Sequence, residues 1–325
     1  MAAILAATPL AAQRSGQPVI DMHLHVANVH SAEPATICPG TIIVDQPVVD
    51  PREPERDLAP PCPAPLASAR TTADLRSATI AEMKRHNVRR AVLAARDPAQ
   101  LGPWLAAAPG AFIPAAAPNG VAPSDFAALE ALLASRTVAL FAELGAQYRG
   151  LRADDPRLEP FWALAEARDV PVGIHLGEGN PGVARGGPVP DDYRAALTTP
   201  FQLEAVLLKH PRLRIYVMHA ASPLTDEMIA MLFEYPQLYV DIAANVWNMP
   251  RAQFHAQLKR LTDAGFAKRI LFGSDPGIWP QAIGLAIATI EEAPFLSAGQ
   301  KRDILYNNAA RFLRLTPEQI AADHR

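Results

Sequence analysis

Two histidines one residue apart close the run Val19-Ile20-Asp21-Met22-His23-Leu24-His25. In a β-strand, residues i and i+2 share a face, so His23 and His25 can both reach one metal ion while Ile20 and Met22 pack on the other side. Further along, four more apolar runs end in a potential ligand: Glu143, His175, His219 and Asp275. Imidazole and carboxylate donors of this kind suit a divalent metal, zinc first, with manganese, iron or cobalt as alternatives. Such an ion lowers the pKa of bound water to about 7 and polarises a carbonyl or phosphoryl oxygen. Asp275 is placed to take the proton of that water, and in Gly273-Ser274-Asp275-Pro276 the small residues let the backbone come close. His86, His210 and His255 lack such a setting and read as core or rim residues.

Ligands so far apart in sequence need a scaffold that delivers strand ends to one place. The pattern predicts strands over 19–25, 88–94, 111–115, 137–143, 172–175, 214–219, 238–242 and 269–275. Helices are predicted over 72–86, 124–135, 160–168, 201–210, 225–234, 251–264, 281–292 and 298–313, the first capped by Thr71 or Thr72. Apolar strands alternating with helices imply a parallel sheet with right-handed crossovers. The expected fold is α/β, a (β/α)8 TIM barrel, with residues 18–315 forming one domain. It carries a long loop insertion after the first strand, over 27–69, and extra C-terminal helices. In such a barrel the strand ends carrying these ligands lie on the catalytic, C-terminal face. A doubly wound open sheet would show a Gly-rich phosphate turn after its first strand, where this chain has histidines.

Composition excludes other classes. The chain has 325 residues, half of them apolar, with a net charge of −3 and no Lys/Arg cluster, so nucleic acid is not an expected partner and a small molecule is. A homo-oligomer stays open. Residues 1–14 begin MAAILAATPLAA and read as the remnant of an export signal without its basic start; the run is too short to span a bilayer. Both cysteines, Cys38 and Cys62, fall in the Pro-rich loop. They would pair in an oxidising compartment, the periplasm or the cell exterior, and stay free thiols otherwise.

With these residues in view, the sequence resembles the amidohydrolase superfamily, in particular the amidohydrolase-related branch that also contains aminocarboxymuconate semialdehyde decarboxylase. The resemblance runs from Val19 to Leu315 and rests on Asp21-Met22-His23-Leu24-His25, Gly173-Ile174-His175, Val217-Met218-His219-Ala220, Phe272-Gly273-Ser274-Asp275 and Asn307-Asn308-Ala309-Ala310-Arg311-Phe312-Leu313. It implies that His23, His25 and Asp275 bind a first metal. His175 and His219 would hold a second, or His219 would act as acid/base beside a single ion. Many of these hydrolases bridge two metals with a carbamylated lysine at the end of strand four; residues 137–150 contain no Lys, and Glu143 looks like the glutamate that bridges in other branches.

The leading expectation is a hydrolase that attacks an ester, lactone, amide or phosphoester bond with metal-activated hydroxide. The alternatives are a mononuclear non-oxidative decarboxylase and a metal-stabilised or partner-binding barrel without activity, and fold alone does not choose among them. Substrate contacts are expected from the loops after the strands, which offer Tyr148, Arg149, Glu178, Asn180, Asn245, Trp247 and Trp279. Arg149 could receive a carboxylate or phosphate.

Overall fold

The computed structural model describes residues 16–42, 50, 52, 62–118, 122–179 and 192–325. Its strands in chain order are β1 (Val19–His25), the short β2 (Thr36–Ile37) and β3 (Leu66–Ala67), β4 (Val88–Ala95), β5 (Phe112–Ala116), β6 (Leu140–Leu144), β7 (Val172–His175), β8 (Ile215–Met218), β9 (Leu238–Asp241) and β10 (Ile270–Leu271). Eight of them form one sheet in the order β1-β4-β5-β6-β7-β8-β9-β10 with every neighbouring pair parallel. Strands buried on both faces need apolar residues throughout, hence Ala91-Val92-Leu93-Ala94-Ala95 and Ile215-Tyr216-Val217-Met218, all buried. A helix covers each crossover, from Thr72–Arg85 after β1 to Arg251–Asp263 after β9, and Ala282–Glu291 follows β10. The architecture is the expected (β/α)8 barrel.

The predicted last strand, 269–275, is a ladder only at Ile270 and Leu271, paired with Val240 and Asp241 of β9. Beyond it the chain closes the barrel against β1 by other means. The Met22 and Asp275 amides donate to the carbonyls of Phe272 and His23, both at 2.9 Å. Buried Asp21 completes the seam: its Oδ1 accepts from the amides of His23 (3.0 Å) and Ser274 (2.9 Å), and its Oδ2 from the Ser274 hydroxyl (2.5 Å). Burial pushes the Asp21 pKa up to about 6 despite these donors. Side chain and backbone thus replace ladder bonds where Gly273 must pass His23, since a Cβ there would lie 2.8 Å from the His23 Cβ.

Tyr216 of β8 lies inside the barrel, its hydroxyl donating to the Met22 carbonyl at 3.2 Å. It fits because β7 has glycine opposite; a Cβ on Gly173 would meet the Tyr216 ring at 2.5 Å. Gly173→Ala is therefore expected to cost about 1–3 kcal/mol of stability by overpacking, read as a lower denaturant midpoint. An unchanged midpoint would show that the ring can move aside.

The connection after β1 is not structureless where described. β2 and β3 pair antiparallel, Thr36 with Ala67 and Ile37 with Leu66, and a disulfide joins Cys38 to Cys62. The segment docks on its neighbours: the Gly40 and Ile42 amides donate to the carbonyls of Trp247 and Asn248 at 3.0 and 3.2 Å, and the Trp279 indole to Ala35 O at 3.1 Å. The leader, residues 1–14, and much of the expected 27–69 insertion lie outside the described residues.

Three further helices were not foreseen, one of them the single turn Asn245–Asn248 after β9. Gly102–Ala107 follows β4, and Pro317–Asp323 ends the chain, capped by Thr316. The helix expected over 298–313 is interrupted by a π turn at Asp303–Asn307. Among the described residues no helix is long and apolar enough to cross a membrane.

Candidate metal centre

The ends of the barrel strands meet in one cup. His25 is the last residue of β1, Glu143 is next to last in β6, His175 ends β7, His219 follows β8 and Asp241 ends β9. Asp275 comes four residues beyond β10. His23 Nε2 lies 3.0 Å from His25 Nε2, and those two nitrogens stand 4.0 and 3.8 Å from the Asp275 carboxylate. On the other side His219 Nε2 lies 3.1 Å from His175 Nδ1. Glu143 stands between the two sets. Its Oε1 bonds His175 Nδ1 and lies 3.6 Å from His219 Nε2, and its Oε2 lies 3.6 Å from His25 Nε2.

Hydrogen bonds around the cup decide which nitrogens can serve as ligands. His23 Nδ1 donates to Asp241 Oδ2 at 2.9 Å and His219 Nδ1 to the Ala243 carbonyl at 3.0 Å. Each ring therefore keeps its Nε2 lone pair for the cup, the arrangement by which a carboxylate or carbonyl orients a metal-binding imidazole. Asp241 Oδ1 also accepts the amides of His219 (2.8 Å) and Ala243 (3.0 Å). His175 turns its Nδ1 to Glu143 and His219, while its Nε2 is buried without a hydrogen-bond partner, an uncommon state for a buried polar atom.

The electrostatics agree. Burial pushes the His219 ring down, yet the nearby carboxylates of Glu143, Asp241 and Asp275 outweigh it and carry the pKa up to about 10. Carboxylates this close together demand positive charge in the cup. Burial lowers His25 and His175, which favours the neutral, ligating form. The donor set fits a divalent cation, and the groupings His23, His25, Asp275 and His23, Glu143, His219 each bring their ligand atoms within 4.8 Å of one another. His23 is 1 % exposed, whereas His25, Asp275 and Glu143 are 25, 22 and 15 % exposed, so the cup is open on the side of these three.

The backbone at this rim is strained. His219, Ala220 and Ala221 all have positive φ, 59, 50 and 52°, as does Asp275 at 42°, each costing an L-residue about 1–2 kcal/mol. Asp241 below and the Asn245 amide, which donates to the His219 carbonyl at 3.3 Å, hold the first of these in place.

The residues expected to touch substrate divide. Tyr148 borders the cup, its hydroxyl 3.3 Å from His175 Nδ1 and its ring 4.4 Å from that imidazole; burial, Glu143 and Asp275 hold it protonated. Glu178 accepts from the Ser222 hydroxyl at 2.9 Å. Arg149 is exposed. Asn245 braces His219, and Trp247 is buried with its indole N–H on Ser274 O at 2.8 Å, so both support ligands from behind. Trp279 ties its loop to Ala35, and Asn180 lies outside the described residues.

The three histidines read as core or rim residues lie apart from the cup. His86 faces Glu82, His210 lies between Glu159 and Glu166, and His255 bonds the Thr289 carbonyl. Asp241 is the residue that sequence reasoning passed over. Its signal was a carboxylate closing the apolar run Leu238-Tyr239-Val240, the same signature that marked Asp275.

The model of a family described as Amidohydrolase matches residues 20–315. Among solved structures, an uncharacterised TIM-barrel protein from Bordetella bronchiseptica is 22 % identical over 74 % of this chain and 82 % of its own, with a TM-score of 0.59. A dihydroxybenzoic acid decarboxylase from a Polaromonas species, with bound manganese and the inhibitor 2-nitroresorcinol, is 17 % identical over 93 % of this chain and 99 % of its own, at 0.60. A probable 2-pyrone-4,6-dicarboxylic acid hydrolase from Acinetobacter baumannii with citric acid bound is 13 % identical over 92 % of this chain and all of its own, at 0.58. No curated protein matches the chain in sequence. At these identities the structural neighbours show the shared barrel.

Proposed function

The chain belongs to the amidohydrolase family, and on that footing we propose that it is a metal-dependent hydrolase cleaving an ester, lactone, amide or phosphoester bond of a small molecule. The observation that carries this reading is Glu143, whose two oxygens face different histidine sets, Oε2 toward His25 and Oε1 toward His175 and His219. His23, His25 and Asp275 would hold one cation, His175 and His219 a second, with Glu143 shared between them. Divalent cations, zinc foremost, supply Lewis acidity there, the means by which they polarise a carbonyl or phosphoryl oxygen and acidify water to a pKa of about 7. Asp275, partly open to solvent beside His25, accepts the proton of the attacking water and returns it to the leaving group. Tyr148 donates a hydrogen bond to substrate from the rim, with Arg149 and Glu178 on the neighbouring loops. The Cys38–Cys62 disulfide supports an oxidising compartment, the periplasm or the exterior.

A mononuclear decarboxylase is the second reading. It is favoured by the completeness of His23, His25 and Asp275 as a three-ligand set and by the manganese-bound decarboxylase among the structural neighbours.

Zinc titration of metal-free protein separates the two. Two equivalents in the wild type, one in Glu143→Gln, and loss of hydrolysis in the variant are expected. One equivalent in both, with release of CO2 from carboxylated aromatics, would replace the hydrolase reading with the lyase.

A further inference from the structure

We propose that Gln147 is a positioning residue of the metal centre: its side-chain amide grips the backbone that follows β7 and thereby holds His175 and His219 opposite Glu143. The inference rests on the two-cation reading above and begins with an asymmetry among the histidines. His23 and His219 each have the nitrogen turned away from the cup fixed by an acceptor, Asp241 Oδ2 and Ala243 O. His175 lacks that device, since its Nδ1 faces Glu143 and its Nε2 is buried without a hydrogen-bond partner. Ring orientation at a metal ligand normally comes from such a partner, so for His175 it must come from packing and from the backbone.

One short turn supplies both. The β6–β7 ladder ends at the pair Leu144–Ile174, and beyond it the chain enters the turn Ala146–Arg149. Tyr148 of this turn lays its ring 4.4 Å from the His175 imidazole. Its neighbour Gln147 is buried and reaches across to Gly177, two residues past His175. The amide nitrogen donates to the Gly177 carbonyl at 3.0 Å and to the Thr198 hydroxyl at 2.9 Å, and the amide oxygen accepts the Gly177 N–H at 3.3 Å. Side-chain amide and backbone thus satisfy each other's donor and acceptor. The pair acts as one more rung of the ladder after the strands have parted.

The rung bears on His219 as well. A Cβ on Gly177 would lie 3.1 Å from the His219 Cβ and 3.5 Å from its ring, so the Gly177 backbone sits directly against the base of that histidine. The Gly177 carbonyl also accepts from the hydroxyls of Tyr193 at 2.7 Å and Thr198 at 3.2 Å. Those two belong to the chain that follows β7, whereas Gln147 stands four residues after Glu143. Its amide therefore ties the ligands of β7 and β8 to the carboxylate of β6.

Zinc binding by the metal-free full chain, read by competition with a chromophoric chelator, tests this without turnover. Gln147→Met keeps the side-chain volume and removes the rung. Of the two equivalents expected for the wild type, one should weaken about 10–100-fold, the range for loss of a group behind a metal ligand, and the other should not change. Gln202→Met is the control for a purely structural role. Gln202 is as deeply buried and bonds Ala153 N–H, Leu197 O and Thr199 O, with no hydrogen bond to Gly177 or to a histidine among the described residues. Its loss should lower the denaturant midpoint and leave zinc affinity unchanged. Equal weakening in both variants, or unchanged affinity in Gln147→Met, overturns the proposal. Should Gln147→Met not fold, Gly177→Ala approaches the same contact from the other side: it keeps the backbone bonds, sets a methyl against His219 and should weaken the same equivalent, and unchanged affinity there overturns the proposal equally. A wild type that binds one equivalent, weakened in Gln147→Met alone, leaves the rung in place and removes the two-cation reading; one that binds no zinc removes both.

Discussion

Asp275→Asn is expected to lower kcat by about 10²–10⁴-fold, the range associated with a positioned general base, while the barrel stays folded. The backbone explains why the fold survives. What joins this residue to β1 is its amide, donating to His23 O at 2.9 Å, and asparagine keeps both that bond and the side-chain shape. What the substitution removes is the carboxylate, 3.8 Å from His25 Nε2 and 4.0 Å from His23 Nε2 on the exposed side of the cup. Imidazoles committed to a cation cannot take a proton, so no neighbour replaces it. The check is kcat for any ester or lactone substrate, with metal content measured on the same sample. Activity within a few-fold of wild type at equal metal content would remove Asp275 as the base.

Asp241→Asn should weaken metal binding at least 10–100-fold, the usual consequence of losing the partner behind a ligating histidine. Here a tautomer is at stake. The carboxylate accepts three N–H bonds, two amides at Oδ1 and His23 Nδ1–H at Oδ2. An asparagine that satisfies the amides with its oxygen turns its NH2 toward His23. The imidazole must then carry its proton on Nε2, where it blocks the lone pair that faces His25. Competition with a chromophoric chelator reads the affinity, and an unchanged value would show that His23 is not a ligand. Asp241→Ala is a harsher variant, since it leaves the amides of His219 and Ala243 without their buried acceptor.

The placement of these groups was largely legible because the same event recurs: an apolar run ends in a group that can hold a metal. His23, His25, Glu143, His175, His219 and Asp275 do meet at one rim. Asp241 escaped because a single acid at a strand end also marks the start of an ordinary loop, and nothing local says that its oxygens face a histidine 218 residues away. Asn245 and Trp247 were read by residue type, since polar and aromatic groups suit substrates. Their direction depends on the sharp turn after β9, where Ala244 has φ +57°. The ladder at β10 is short for a reason invisible in its apolar residues: closure there is handled by Asp21 and Ser274. The final helix did carry a signal, Thr316 followed three residues later by Gln319, which forms a capping box around Pro317.

The seam between the first and last strands also sets a clock. Asp21 and Ser274, which lock it, are separated by 253 residues, and His23 and Asp275 lie just beside them. A ribosome adding about 5–20 residues per second takes roughly 10–50 s to bridge that gap. Throughout that time the nascent chain displays His23 and His25 without Asp275, and without the seam that fixes their rings. The centre can be assembled only after residue 275 has been made, so a cation that needs the full set of ligands would enter after that point, in whichever compartment the chain has by then reached.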